Sequence, residues 1–160
     1  MTANFGHVER VTIWTEKGEI TFRSKLEYRW YVWTQLRKDS RIIRDWWYED
    51  QDSCLELTQE YKDNKKLYLP DFTILTNRGE YEFEECKGYF PAKDATKIKL
   101  AAQQYETPIT LIFANLSPNS KNSKIRTQRR RAEALEPHIK RVIYNADKTI
   151  FKPIKHLFQV

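Results

Sequence analysis

The sequence predicts a mixed α/β fold of the α+β kind, with a mainly antiparallel central sheet flanked by helices. Three observations predict it. Apolar residues recur at helical spacing in two places, at Leu26, Trp30, Trp33 and Leu36 and again from about Asp94 to Tyr105. Between them lie short β-prone runs separated by turn residues. After the second helix comes Pro108 to Phe113, a short apolar run of the kind that forms a buried strand.

Taken in order, Val8–Thr15 and Glu19–Arg23 flank a Glu16-Lys17-Gly18 turn and read as a hairpin. Ser24 stands where a helix N-cap belongs, and the helix runs to about Lys38 with Leu26, Trp30, Trp33 and Leu36 toward a core. Strands are expected over Ile42–Glu49, Cys54–Tyr61 and Leu67–Leu75, with a turn at Lys62–Lys66. Asn77-Arg78-Gly79 is a turn, and Glu80–Lys87 the strand that returns from it. Beyond Phe113, Leu116–Ser123 reads as a loop and Arg126–Glu136 as a helix stopped before Pro137. Lys140–Asn145 and Thr149–Phe151 read as short strands.

The 160 residues fit one domain with a real core: 40% are hydrophobic, with five Trp, nine Tyr and eight Phe. That composition excludes a disordered chain. No run approaches the roughly 20 apolar residues of a membrane span, and Met1–Gly6 has neither the basic nor the apolar region of a secretory signal. Cys54 and Cys86 form neither a disulfide framework nor a zinc pattern, so a reducing, cytoplasmic setting is the expectation. The net charge is +6, and Lys121 to Arg131 holds six Lys or Arg and no acid. Such a run suits phosphate backbone; a solvated loop explains it equally on composition alone.

The segment richest in chemistry is Tyr68 to Phe90. Side chains alternate along a strand, so Tyr81, Phe83, Glu85 and Lys87 share one face, which begins apolar and ends in an acid and a base. Glu80, Glu82, Glu84 and Cys86 share the other, which reads mostly as a solvated acidic face. Asp71 lies seven residues before Arg78 and Glu85 seven after. A hairpin centred there sets the two acids opposite each other, with Cβ atoms roughly 4.5–5.5 Å apart. Two carboxylates that close repel and raise each other's pKa. A hard divalent cation such as Mg²⁺ relieves the repulsion. A slip of one residue would separate them onto opposite faces. Lys87, on the same side, is placed to orient or help deprotonate a water and to offset phosphate charge.

Pro70-Asp71 followed by Glu85-Cys86-Lys87 resembles the signature of the PD-(D/E)XK nuclease superfamily. Ser24-Lys25-Leu26-Glu27-Tyr28-Arg29, Tyr68-Leu69-Pro70-Asp71-Phe72 and Glu85-Cys86-Lys87-Gly88 are similar to small phage-encoded endonucleases of that superfamily. Resolvase-like members and TnsA-type transposon-end nucleases show a related pattern. The likeness covers roughly Arg23 to Phe113. It implies a restriction-endonuclease-like core and a single nuclease domain over 1–160. That domain would divide into an N-terminal hairpin (1–23), a catalytic core (24–113) and a basic C-terminal extension (114–160). It implies a Mg²⁺-dependent DNA endonuclease, with Mn²⁺ as substitute, from a phage or mobile element in a bacterial host. A junction resolvase, a homing or restriction enzyme and a transposon-end nuclease are the specialised forms. A homodimer or a larger DNA-processing complex would suit duplex cleavage.

The resemblance also implies roles. Asp71 and Glu85 would be metal-binding acids, the Cys86 backbone carbonyl a further metal ligand, and Lys87 the catalytic lysine. Glu27 would be an additional acid near the metal. Ser24-x-x-Glu27 is equally a capping box, with the glutamate returning to the Ser24 N–H. Lys97 and Lys99 would contact substrate backbone. On its charge, the basic run offers Lys124, Arg126, Arg129, Arg130 and Arg131 for the same task, with a solvated helix start as the rival reading of Arg129–Arg131. The rival of another class is a non-catalytic DNA-binding protein on a nuclease fold. His7, His138 and His156 have no ligand spacing, and Trp46-Trp47-Tyr48 reads as packing.

Overall fold

The computed structural model describes residues 9–58 and 66–160. The first expected hairpin forms from β1 (Val11–Thr15) and β2 (Gly18–Phe22), paired antiparallel. Gly18 sits at φ +97°, which the tight turn between them requires. Val8 lies outside the described residues. Helix α1 (Lys25–Asp39) starts as expected: Ser24 is extended and its hydroxyl accepts the Glu27 N–H at 3.1 Å.

Of the expected core face of α1, Trp30 is fully buried, but the buried face extends further round the helix. Glu27, Tyr28, Trp30, Tyr31, Thr34 and Arg37 are buried, while Leu26, Trp33 and Leu36 are only partly so. The face is widened because it satisfies polar partners. The Glu84 carboxylate accepts from both Arg37 terminal nitrogens (2.8 and 2.6 Å) and from Trp30 Nε1 (2.9 Å). The Thr34 hydroxyl, meanwhile, donates to the Trp30 carbonyl.

A five-stranded sheet forms the centre, in the order β3 (Asp45–Tyr48), β6 (Phe72–Leu75), β7 (Tyr81–Lys87), β8 (Ile109–Phe113), β9 (Arg141–Ile143). The β3–β6 and β6–β7 pairs are antiparallel, whereas the β7–β8 and β8–β9 pairs are parallel. Parallel neighbours need long crossovers. Helices α2 (Ala92–Tyr105) and α3 (Ser123–Leu135) supply them. A separate hairpin pairs β4 (Leu55–Leu57) with β5 (Lys66–Tyr68).

Several expected strands shorten or change. Ile42–Glu49 is a strand only from Asp45, because the Ile42 and Ile43 N–H groups still close the end of α1 on the Arg37 carbonyl. Cys54–Tyr61 is a strand over Leu55–Leu57, and residues 59–65 lie outside the described part, with most of the expected turn. Leu67–Leu75 is not one strand. Pro70 has no N–H for a ladder, and the chain leaves the β4–β5 hairpin there before entering the central sheet. Thr149–Phe151 is not a strand. It lies in a wide helical turn, Asp147–Phe151, continued by Lys152–Ile154. Asn145 starts that turn: its side chain accepts the Lys148 N–H, and its carbonyl accepts the Thr149 N–H and hydroxyl.

Both sheet faces are covered. On one, Phe83, Leu111 and Phe113 meet Ile98 and Ala101 of α2 and Ala132 and Leu135 of α3. On the other, Phe72, Ile74 and Ile112 meet Phe22, Trp30, Tyr31 and Phe151. β7 is thus buried on two faces, so Glu84 and Cys86 face α1 and its surroundings rather than water. Tyr81, expected to open the apolar face, is 56% exposed at the strand's outer end. Residues after 113 add β9 to the sheet and Leu135, Val142 and Phe151 to the cores. No helix among the described residues is long and apolar enough to cross a membrane.

Candidate active site

The β6–β7 register is the one that a turn centred on Arg78 gives: Phe72 faces Glu84, Thr73 faces Phe83 and Leu75 faces Tyr81. One step beyond the ladder, Asp71 stands opposite Glu85. Having left the ladder at Pro70, Asp71 turns its N–H to Glu85 Oε1 at 3.2 Å, and its Oδ2 accepts the Cys86 N–H at 2.8 Å. Asp71 and Glu85 are 3% and 4% exposed. Two buried carboxylates side by side are unfavourable unless something neutralises them.

Further groups converge on the pair. Glu27 Oε2 accepts the Arg23 N–H at 2.7 Å and the Tyr48 hydroxyl at 3.0 Å. The expected capping box is therefore half made. Ser24 caps the helix, but Glu27 reaches the N–H of Arg23 rather than that of Ser24, and its carboxylate turns toward Asp71. Glu49, held at φ +46°, adds a fourth acid. One carboxylate oxygen each from Glu27, Glu49 and Asp71 lie within 4.8 Å of one another. Sequence reading missed Glu49, whose approach depends on that backbone conformation and on the Glu49 N–H bond to the Asp71 carbonyl.

It also missed Arg23. The guanidinium sits among the three acids, 2.7 Å from Asp71 Oδ1, 2.8 Å from Glu49 Oε1 and 3.3 Å from Glu27 Oε1. Burial works against its charge, yet Glu27, Asp71 and Glu49 outweigh burial and hold its pKa above the ordinary value. Lys87 is 3.0 Å from Asp94 of α2 and 3.7 Å from Glu85. Burial again opposes the charge, but Glu85 and Asp94 keep the ammonium protonated well past neutrality.

The acids are shifted upward. Burial first, then Glu85 and Glu27, hold the Asp71 carboxyl well above the carboxylate range. Burial pushes Glu85 up to about 7 against the pull of Lys87. The Tyr68 hydroxyl is buried beside Glu85 and Asp71 and makes no hydrogen bond of normal geometry. The Cys86 thiol is pushed up by burial and then by Asp71, so it is no thiolate nucleophile.

These residues line a hollow of about 830 Å³ that also takes in Arg10, Gly88, Tyr89 and Lys97. Lys97 therefore reaches the site, while Lys99 is exposed and does not line it. Of the basic run, Arg126 bonds the Ser120 and Lys121 carbonyls, Arg129 bonds the Leu116 carbonyl and Glu133, and Arg131 bonds the Phe90 carbonyl. Those three fasten loops. Lys124 and Arg130 are exposed and make no ion pair among the described residues. Gln128 accepts the Phe90 N–H at 2.9 Å, which brings α3 against the rim of the hollow.

The donor set fits a hard divalent cation. Glu27, Glu49 and Asp71 bring carboxylate oxygens close together, and oxygen is the ligand Mg²⁺ prefers; Glu85 lines the same hollow but is not in that close set. The buried pair carries more negative charge than Arg23 and Lys87 alone hold ionised. No protein-family model matches the chain, and no curated protein matches it by sequence.

Proposed function

We propose that this chain is a Mg²⁺-dependent DNA endonuclease of the PD-(D/E)XK type, hydrolysing phosphodiester bonds in the hollow above Asp71, Glu85 and Lys87. The observation that supports it most is the meeting of those three residues with Glu27 and Glu49 at one open edge of the sheet. Buried side by side, Asp71 and Glu85 are both held above the ordinary carboxylate range, and a divalent cation would relieve that cost.

Asp71 and Glu85 would hold the metal, with Glu27 or Glu49 completing the carboxylate set and the Cys86 carbonyl as a further donor. When bound, the ion supplies Lewis acidity toward the phosphoryl oxygen and eases ionisation of water. Lys87, kept cationic by Glu85 and Asp94, offsets charge as it builds on the phosphate rather than taking a proton. Asp94 positions that ammonium. Arg23, once the carboxylates have a metal, is free to turn to a substrate phosphate, for which its planar fork is suited. Lys97 at the mouth of the hollow adds backbone contact.

The deciding assay compares cleavage of plasmid and four-way-junction DNA in Mg²⁺ by the parent, Asp71→Ala and Lys87→Ala. Cleavage by the parent alone is expected; equal cleavage by all three overturns the assignment. Junction-selective cutting would mark a resolvase, and site-specific duplex cutting a homing or restriction enzyme.

One observation favours a second reading. Arg23 already pairs with Asp71, Glu27 and Glu49, an arrangement that also suits a metal-free DNA-binding protein on a nuclease fold. Calorimetry with Mn²⁺ separates the two: no heat of binding, with or without DNA, selects the second.

A further inference from the structure

The strands β7, β8 and β9 run parallel, so their carboxyl ends share one edge of the sheet. Ligands of such sheets bind outside that edge. Lys87 ends β7 there. Asn115 follows β8 and Asn145 follows β9, and both line a hollow of about 470 Å³. Arg29, two residues past Glu27 in the first turns of α1, closes it from one side. Lys148, Lys152 and Lys155 line it from the helical turns after β9.

The charge in this hollow is unbalanced. The four cations meet one acid, Asp147, whose carboxylate is 3.8 Å from Arg29. The three lysines are exposed and pair with no described acid. Arg29 Nε is shielded from solvent and has no hydrogen-bond partner among the described residues, while its guanidinium lies over the Phe158 ring at 5.6 Å. Lys148 to Lys155 form a track along helical turns rather than a closed cup, which suits a chain of phosphates better than a single anion.

We propose that this hollow is a second phosphate-binding site that grips nucleic-acid backbone beside the cleaved bond; the proposal rests on the nuclease reading above. β9 is two strands from β7, about 10 Å at the usual strand spacing. At roughly 3.4 Å of rise per nucleotide, a strand laid over Glu85 and Lys87 reaches the hollow about three nucleotides on.

The test uses the full chain and a labelled 20-base-pair duplex, with EDTA present so that nothing is cut. The variant K148Q/K152Q/K155Q is compared with R41Q/R78Q/R141Q, which removes the same charge from the opposite edge of the sheet. Circular dichroism and melting confirm that both fold. The first is expected to lose at least tenfold in affinity and to flatten the slope of log K against log salt by about 2–3, near 0.9 per lost phosphate contact. The second should change little, and hydrolysis of bis(4-nitrophenyl) phosphate in Mg²⁺ should stay at the parental rate in both. Parental affinity and slope in K148Q/K152Q/K155Q, or an equal loss in the control, overturns the second site and leaves the nuclease reading standing. A parent that neither binds nor cuts DNA overturns both.

Discussion

Arg23 Nη2 lies 2.7 Å from Asp71 Oδ1, so a cation from the chain itself stands against the carboxylate expected to hold a metal. The same guanidinium reaches Glu49 and Glu27. It is the counter-charge that lets three acids share the edge of the hollow without a metal.

Arg23→Ala should therefore act in opposite directions on the metal-free and metal-bound protein. Without the guanidinium the acids repel, and melting in EDTA should fall by several degrees. A divalent ion no longer competes with an internal cation, so its affinity should rise, on the order of tenfold, which is about 1.4 kcal/mol. Calorimetric titration with Mn²⁺ reads it directly. Unchanged affinity would mean that guanidinium and metal do not compete for these carboxylates.

Asp71→Asn and Glu85→Gln should separate activity from stability. Each removes a buried charge that is already disfavoured, at Glu85 by burial and at Asp71 by burial and then by Glu85 and Glu27. Melting in EDTA at pH 8 should rise, by on the order of 1 kcal/mol of stability or more. DNA cleavage in Mg²⁺ should fall by at least about a hundredfold. Loss of activity accompanied by loss of stability would instead point to a structural role for the pair.

How much of this was legible follows from where the information lies. The Asp71–Glu85 relation was readable because Asn77-Arg78-Gly79 centres the hairpin and the residue count then fixes the register. Ser24 was readable because a cap is local. The phase of α1 was legible only in part, at Trp30, since its buried face also carries Glu27, Thr34 and Arg37, which an apolar pattern passes over. Glu84 seemed solvated because its partners, Trp30 and Arg37, are about fifty residues away in sequence. Glu49 and Arg23 joined the site only through folding, one by a positive φ and the other by a contact across 48 positions.

The Arg37–Glu84 pair gives a prediction about the scaffold. Both partners are buried, at 9% and 5% exposure, and they tie α1 to the middle strand of the sheet. Removing one partner leaves the other buried and uncompensated, typically at a cost of about 3–5 kcal/mol. Arg37→Met should lower stability by that order in urea unfolding. Arg37→Met with Glu84→Met should recover much of it, because no lone charge remains. A double variant as unstable as the single would show that the pair itself, rather than the orphaned carboxylate, supplies the stability.

The raised acids make the metal-free fold sensitive to pH in a direction opposite to ordinary acid denaturation. Glu85 titrates at about 7 in the folded protein, above an unfolded glutamate. Between about pH 4.5 and 7 the folded state therefore binds more protons than the unfolded one, and stability falls as pH rises through that window. Asp71, also held up by burial, adds to the fall. The loss from Glu85 alone amounts to up to about 3 kcal/mol. A divalent ion favours the ionised acids, so Mg²⁺ should raise the melting temperature more at pH 8 than at pH 5.5, and binding near pH 6 should release protons. Melting curves in EDTA and in Mg²⁺ at both pH values, with titrations in two buffers of different ionisation enthalpy, measure each part. A metal-induced rise that is the same at pH 5.5 and pH 8, with no proton release, would place the metal away from Asp71 and Glu85.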